Sequence, residues 1–376
     1  MTLEVLFWLS VCGVLYPYVG YPVALMILGR AVRRPEALGQ AGASPSVSLI
    51  IPVHNEEARI ERKVANTTSL RYPDGHLQIL FVSDGSTDRT ADILKRTASP
   101  GMSVVELPVR RGKAAALNAG LARATHDVLV FTDASIELEP DALQHIVRRF
   151  RDPQIGCVSG EDRIAAAGGE AWYGRYELFL RRLESQVHSI VGASGSFYAQ
   201  RRALCAPFQE GMAPDFLSVL RTVEQGYRAV SEPTAIGAMT SVKDPRHEFE
   251  RKVRTLIRGM TTLFAHARLL NPLRFGVFAF ALWSHKTLRW TVPFFLLTAL
   301  LTSFALVRSP VYLVACIAQV VFYAGALAAL AEWGSLHRSV PGKAALYFSS
   351  VNAAILAAWC QYGKGVRQEL WTPSRR

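Results

Sequence analysis

Four short segments of this chain end an apolar run on residues suited to phosphate and charge. "SLIIPVHNEE" carries Pro52, His54, Asn55 and Glu56, and "FVSDGSTDRT" carries Asp84 beside Gly85. "VVELPVRRGK" ends on Arg110, Arg111, Gly112 and Lys113, and "VLVFTDAS" reaches Asp133. Two carboxylates, a lysine and a helix amino terminus at one edge suit a nucleoside diphosphate bound with a divalent cation, since carboxylates ligate hard cations and helix-start N–H groups attract phosphate. The sequence has neither a Gly-x-Gly-x-x-Gly turn nor a P-loop lysine, so dinucleotide redox chemistry and P-loop ATP hydrolysis lose their main support.

The elements that must position these groups are legible. Val47–Val53, Leu77–Val82, "VVELPV" and "DVLVFTDAS" are short apolar runs, and helix periodicity follows each, as in Ala91–Arg96, the alanine-rich "RRGKAAALNAGLARA" and "EPDALQHIVRRF". That alternation predicts a mainly parallel sheet with covering helices and right-handed crossovers. Ligands of such sheets bind at the carboxyl ends of the strands, where these residues fall. Gly85 tolerates a sharp turn, and Ser86 is expected to cap the helix after it.

The whole chain is more apolar than an ordinary soluble protein of its size: half of its 376 residues are hydrophobic, and its mean hydropathy is +0.17. The apolar residues collect at the ends. Residues 1–30 predict a retained transmembrane anchor, 44–240 a globular α/β domain, 241–289 interfacial amphipathic helices, 290–363 transmembrane helices and 364–376 a basic tail. The net charge of +12 sits largely beside the apolar segments (Arg30, Arg33 and Arg34; Arg246 to Arg274; Lys286 and Arg289), which points to anionic lipid rather than nucleic acid and to a catalytic domain on the cytoplasmic face. The tail bases conflict with a topology of one span before and three after the domain, and a dip of Phe275–Trp283 into the bilayer is one way to relieve it. Five scattered cysteines without Cys-x-x-Cys spacing indicate neither a disulfide framework nor a zinc site.

In order along the chain, "SLIIPVHNEE", "VSDGSTDRT", "RRGKAAALNAG", "FTDAS", "GASGSFYAQRR" (Gly192 to Arg202) and "APDFLSVLRTVEQGYRAVSEP" are similar to the motifs of the membrane-bound family 2 glycosyltransferases; "SHKTLRW" and "WTPSRR" are similar to the membrane-proximal end of its exopolysaccharide members. The resemblance implies a Rossmann-like GT-A fold and an inverting transfer from a nucleotide sugar, with UDP the favoured nucleotide. By it, Asp84 holds the nucleobase or ribose, and Pro52, His54, Glu56, Lys113 and Arg254 line the nucleotide site. Asp133 binds Mg²⁺ or Mn²⁺ at the diphosphate. Asp215 is the general base for the acceptor hydroxyl.

The match departs from the family pattern in three places. Ser135 stands where a second metal-motif aspartate is usual, Pro214 replaces the acid before the base, and Arg251–Thr255 keeps only Arg254 of the Gln-x-x-Arg-Trp motif of processive synthases. Transfer of one or a few sugars to a lipid-linked or saccharide acceptor at the plasma (inner) membrane is therefore expected, with polysaccharide assembly or export proteins as partners. The alternatives are a processive synthase that secretes its product and a non-catalytic assembly subunit; a transporter is disfavoured because the spans carry no evident buried charge.

Three further expectations concern the membrane side. The stripe Phe249, Val253, Leu256, Ile257, Met260 and Leu263 reads as a lipid-facing helix surface, with Arg254 and Arg258 toward the diphosphate. His285, Lys286, Arg289 and Trp290 fit either a functional role or snorkelling and an aromatic belt. Trp172, Tyr173 and Tyr176 fit either a sugar platform or core packing.

Overall fold

The computed structural model describes residues 1–32, 44–165, 169–240 and 245–367; Arg33, Arg34 and the "WTPSRR" end lie outside them. The expected strand–helix units all form. Strands β1 (Val47–Val53), β2 (Leu77–Asp84), β3 (Met102–Leu107) and β4 (Val128–Thr132) are followed by helices Ile60–Thr68, Thr90–Arg96, Lys113–Arg123 and, after the two-residue strand β5 (Glu137–Leu138), Ala142–Arg148. Strands β6 (Ile155–Ala165), β7 (Phe197–Arg201) and β8 (Arg228–Thr240) complete one sheet in the order β3-β2-β1-β4-β7-β6-β8-β5. The β3-β2-β1-β4 half is parallel throughout, whereas β7 runs antiparallel to both β4 and β6.

Register explains why the chemistry collects at one edge. β1 pairs with β2 from Val47↔Leu77 to Val53↔Ser83, so His54 and Asp84 leave adjacent strands at the same level. The antiparallel pairing Thr132↔Phe197 brings the loop before β7 back against the end of β4. There the Asp133 N–H donates to the Ser196 carbonyl at 3.1 Å. β1 is buried along its whole length, with Ile50 in the core beneath helix Lys113–Arg123 and Leu49 and Ile51 in the core beneath helices Ile60–Thr68 and Thr90–Arg96.

Among the described residues, four helical runs are long and apolar enough to cross a membrane: Thr2–Ala31, Pro272–Ala305, Pro310–Leu330 and Val340–Gly363. The second begins well before residue 290, because "FGVFAFALW" joins it through a kink at Gly276 and a π-helical turn at Trp283–Thr287. These runs share a core with the α/β domain: Tyr21, Leu25, Ala354 and Ala358 pack in one cluster with Leu217, Leu220 and Val223.

Three expectations are revised, the first two by that shared core. The stripe Val253, Ile257, Met260 and Leu263 of helix Pro245–Ala265 is buried in protein, so the apolar face assigned to lipid packs in the core. His285 and Arg289 are buried as well. His285 shares Glu184 at 2.6 Å and Glu177 at 3.1 Å, and Arg289 pairs with Glu177; the second run therefore carries buried charge, where the sequence suggested snorkelling. Ser86 does not cap a helix: its hydroxyl accepts from the Asn55 N–H at 3.2 Å, and the helix begins at Thr90.

Candidate active site

Asp84 is fully buried at the end of β2. Its Oδ1 accepts the Arg111 N–H and its Oδ2 the Gly112 N–H, each at 2.7 Å. The neighbouring Gly85 has φ +56°, and a Cβ there would lie 2.3 Å from the Arg110 backbone nitrogen. The Asp-Gly pair is thus a clamp for the Arg110–Lys113 turn: glycine permits the close approach, and the carboxylate satisfies the turn's amides. His54 is also buried, its Nδ1 within 2.7 Å of the Asp84 carbonyl. Pro52 is the penultimate residue of the buried β1 and lines a small recess with Lys113, Asp133 and Asp215. Asp84 and His54 do not line the cleft that holds Lys113 and Asp133.

The other five expected residues meet. Glu56, Lys113, Asp133, Asp215 and Arg254 line one cleft of about 440 Å³. Gly112, at φ +91°, starts the helix that presents Lys113. Lys113 Nζ lies 2.5 Å from Asp133 Oδ1 and donates to the Gly195 carbonyl at 3.1 Å. Gly195 in turn abuts Asp215: a Cβ on it would sit 3.8 Å from the Asp215 Cγ. Asp133, Lys113, Gly195 and Asp215 thus form a continuous wall.

Local sequence explains the position of Asp215. Pro214 occupies the first turn of helix Pro214–Glu224, where the missing N–H costs nothing. Asp215 follows in the same turn, where the helix dipole favours a negative charge.

Electrostatics couple the wall to the helix opposite. Burial pulls the Arg258 guanidinium below its ordinary pKa, while Asp215 and Asp133 hold it up. Arg258 donates through Nε to the Met212 carbonyl at 3.1 Å. Burial raises the Glu56 carboxyl; Arg59 opposes that rise, and Asp133 adds to it.

Beneath the metal motif, Lys63 is fully buried and donates to the Ile136 carbonyl at 2.6 Å and to Thr132 Oγ1 at 3.3 Å. Burial pulls its pKa down to about 7 against the opposing pull of Asp133 and Glu137. It ties together both ends of the Thr132–Ile136 loop that carries Asp133.

Asp162, Arg181 and Lys286 also face the cleft. Asp162 and Arg181, from β6 and helix Gly169–Val187, had no recognisable sequence signal. Lys286 had one, read as snorkelling. Its Nζ instead reaches within 3.4 Å of the Cβ position of Gly192 and lies 5.4 Å from the Phe216 ring centre. Of the aromatic trio, Trp172 is exposed, and the rings of Tyr173 and Tyr176 flank Arg289 at 5.4 and 5.5 Å.

Residues 48–205, which hold the strand-end motifs and one side of this cleft, match the family model for Glycosyl transferase family 2. They are a family 2 glycosyl transferase domain. The chain is 32% identical over 120 residues to poly-beta-1,6-N-acetyl-D-glucosamine synthases of Staphylococcus epidermidis and Staphylococcus aureus (strain COL). Those matches span 31% of this chain and 29% of each synthase. A solved mannosyltransferase of Pyrobaculum calidifontis, in complex with GDP-Man and Mn²⁺, is similar over nearly the whole length: TM-score 0.74, 25% identity, 96% of this chain and 98% of that one. The glycosyl transferase domain thus has the expected GT-A fold, and the similarity to the mannosyltransferase extends through the long apolar helices.

Proposed function

We propose that the chain is an inverting glycosyltransferase of polysaccharide biosynthesis, moving a sugar from a nucleoside-diphosphate sugar to a hydroxyl of a lipid-linked or saccharide acceptor at the membrane. The observation that carries this reading is the single cleft in which Asp215 stands beside the Lys113–Asp133 pair, with Gly195 between them. Asp215 takes the proton of the acceptor hydroxyl as its oxygen attacks the anomeric carbon. The bond from that carbon to the diphosphate breaks on the opposite face, which inverts the centre. Arg254 and Arg258, one turn apart on helix Pro245–Ala265, offer guanidinium forks to the departing diphosphate. Asp84 acts through the turn it clamps, which carries Lys113.

Asp133 with the Ser135 hydroxyl fits a divalent cation of the Mg²⁺ or Mn²⁺ class, which keeps few protein ligands and completes its shell with phosphate oxygens and water. Among the described residues no group of three His, Cys, Asp or Glu side chains converges. When bound, the cation neutralises charge on the leaving diphosphate. UDP is the donor nucleotide favoured by family resemblance, and GDP is the second to test. The distribution of basic residues favours a domain on the cytoplasmic face of the plasma (inner) membrane, with anionic lipid and polysaccharide assembly or export proteins as partners. A second reading, processive polymerisation, draws on the relatives that are named as polymer synthases.

The test is nucleotide release by the full-length protein over a panel of UDP- and GDP-sugars, with and without Mg²⁺ or Mn²⁺ and with lipid extract as acceptor, beside Asp215→Asn. Metal-dependent release from one donor, lost in the variant, is the expected result, and the length of the product separates single transfer from polymerisation. Silence across the panel would overturn the reading in favour of a non-catalytic subunit.

A further inference from the structure

A second cavity, of about 320 Å³, adjoins the cleft and shares Glu177, Arg251, His285, Lys286 and Trp290 with it. Its two ends differ in chemistry. Leu256, Val351, Ala354 and Ile355 form an apolar side, the last three from helix Val340–Gly363, one of the runs long enough to cross a membrane. The other side is charged: Arg251, Lys252, Lys286 and Arg289 line it with Glu177 and Glu248.

Arg289 is the informative member. It is 7% exposed, and its Nε and Nη2 are buried without a hydrogen-bond partner among the described residues. One nitrogen, Nη1, is held by Glu177, and the rings of Tyr18, Tyr173 and Tyr176 flank the guanidinium at 5.3–5.5 Å. A buried charged donor without an acceptor is costly, so the site is incomplete as it stands. An anionic oxygen in the cavity would complete it. Trp290, packed on Gly259 at 3.3 Å from that residue's Cβ position, lies on the wall common to both cavities, and Lys286 reaches from there toward Gly192, beside Asp215.

We propose that this cavity seats the acceptor, a membrane lipid with a phosphate-bearing head: the chain lies along Val351, Ala354 and Ile355, the phosphate is read by Arg289 with Lys286, and the sugar hydroxyl beyond the phosphate projects past Trp290 to Asp215. This deepens the proposed function and rests on it for the reaction alone; the lipid site is tested by binding. The transfer step is unchanged, with the hydroxyl proton going to Asp215 and the diphosphate departing with the electron pair.

The experiment uses the full-length protein in phosphatidylcholine nanodiscs with three probes: dodecyl phosphate, dodecanol and inorganic phosphate. Nucleotide-sugar binding is read on the same samples. Dodecyl phosphate is expected to bind at least about tenfold more tightly than either other probe, and Arg289→Gln is expected to remove about that factor, the size of one charged hydrogen bond. Val351→Trp, which fills the apolar end, should weaken dodecyl phosphate to a similar extent while leaving nucleotide binding intact; it carries the test if Arg289→Gln does not fold. Equal binding of dodecanol would overturn the phosphate reading. Competition by inorganic phosphate as effective as by dodecyl phosphate would overturn the lipid, and unchanged binding in both variants would overturn the cavity. Dodecyl phosphate binding without nucleotide binding would sink the donor assignment and leave this one standing.

Discussion

The two walls of the cleft are built in different ways. On the β3-β2-β1-β4 side, each functional group lies at the carboxyl end of its strand or in the turn that follows, and local rules fix its place: Asp84 clamps the next turn, Gly112 starts the helix bearing Lys113, and Asp133 leaves β4 beside Ser196. On the opposite side, Asp162, Arg181, Arg258 and Lys286 come from four elements spread over more than a hundred residues of chain. Nothing local holds that wall. A shared core and the buried charges between helix Gly169–Val187 and the run Pro272–Ala305 hold it. Substitutions in the first wall should therefore act on chemistry or on one turn, and those in the second on the joint between the α/β domain and the apolar helices.

The largest expected effect lies where the walls meet. Asp215→Asn should lower the transfer rate by about 10²–10⁴-fold with nucleotide-sugar binding retained, as steady-state kinetics beside a binding isotherm would reveal. A loss of binding as well would mean that the residue shapes the donor site. Next, Glu177→Gln leaves the buried Arg289 charge without its carboxylate. Removal of one partner of a buried pair costs about 3–5 kcal/mol, so a lower melting temperature of the whole protein is expected. Were only activity lost, with melting unchanged, the joint would not be structural and the contrast between the walls would fail.

Gly85→Ala places a Cβ 2.3 Å from the Arg110 nitrogen at φ +56°. Strain of about 1–3 kcal/mol at that turn should raise the KM for the nucleotide sugar, through displaced Lys113, more than it lowers global stability. A pH dependence of stability is expected as well. Burial lowers the folded-state pKa of Lys63 to about 7, well below the unfolded value of about 10.4. Between these values the unfolded chain binds the extra proton, so stability should rise with pH from about 7 to about 10 and flatten below that window. Lys63→Met should remove this rise from denaturation curves measured across it, and a slope that survived would assign it to another group.

How much of this was legible depended on the range of the interaction. The parallel half of the sheet, its helices and the residues following each strand could be read because apolar runs, periodicity and turn residues act within a few positions. The same local reading put Asp84 on the ligand; the structure adds a second role, since its two oxygens accept the Arg111 and Gly112 N–H groups. The stripe along Val253, Ile257, Met260 and Leu263 was correctly amphipathic, but periodicity cannot distinguish lipid from protein as the apolar partner.

The sequence by itself determined the α/β units, the edge at which the chemistry gathers, the Pro214–Asp215 helix start and the four apolar runs, because these follow from pattern and backbone preference over short distances. Only the tertiary structure decided that the apolar runs share the domain's core, that Arg289 and His285 are buried against Glu177 and Glu184, and that a second cavity adjoins the cleft. Those outcomes depend on which distant surfaces cover one another, a choice made by the packing of the whole chain.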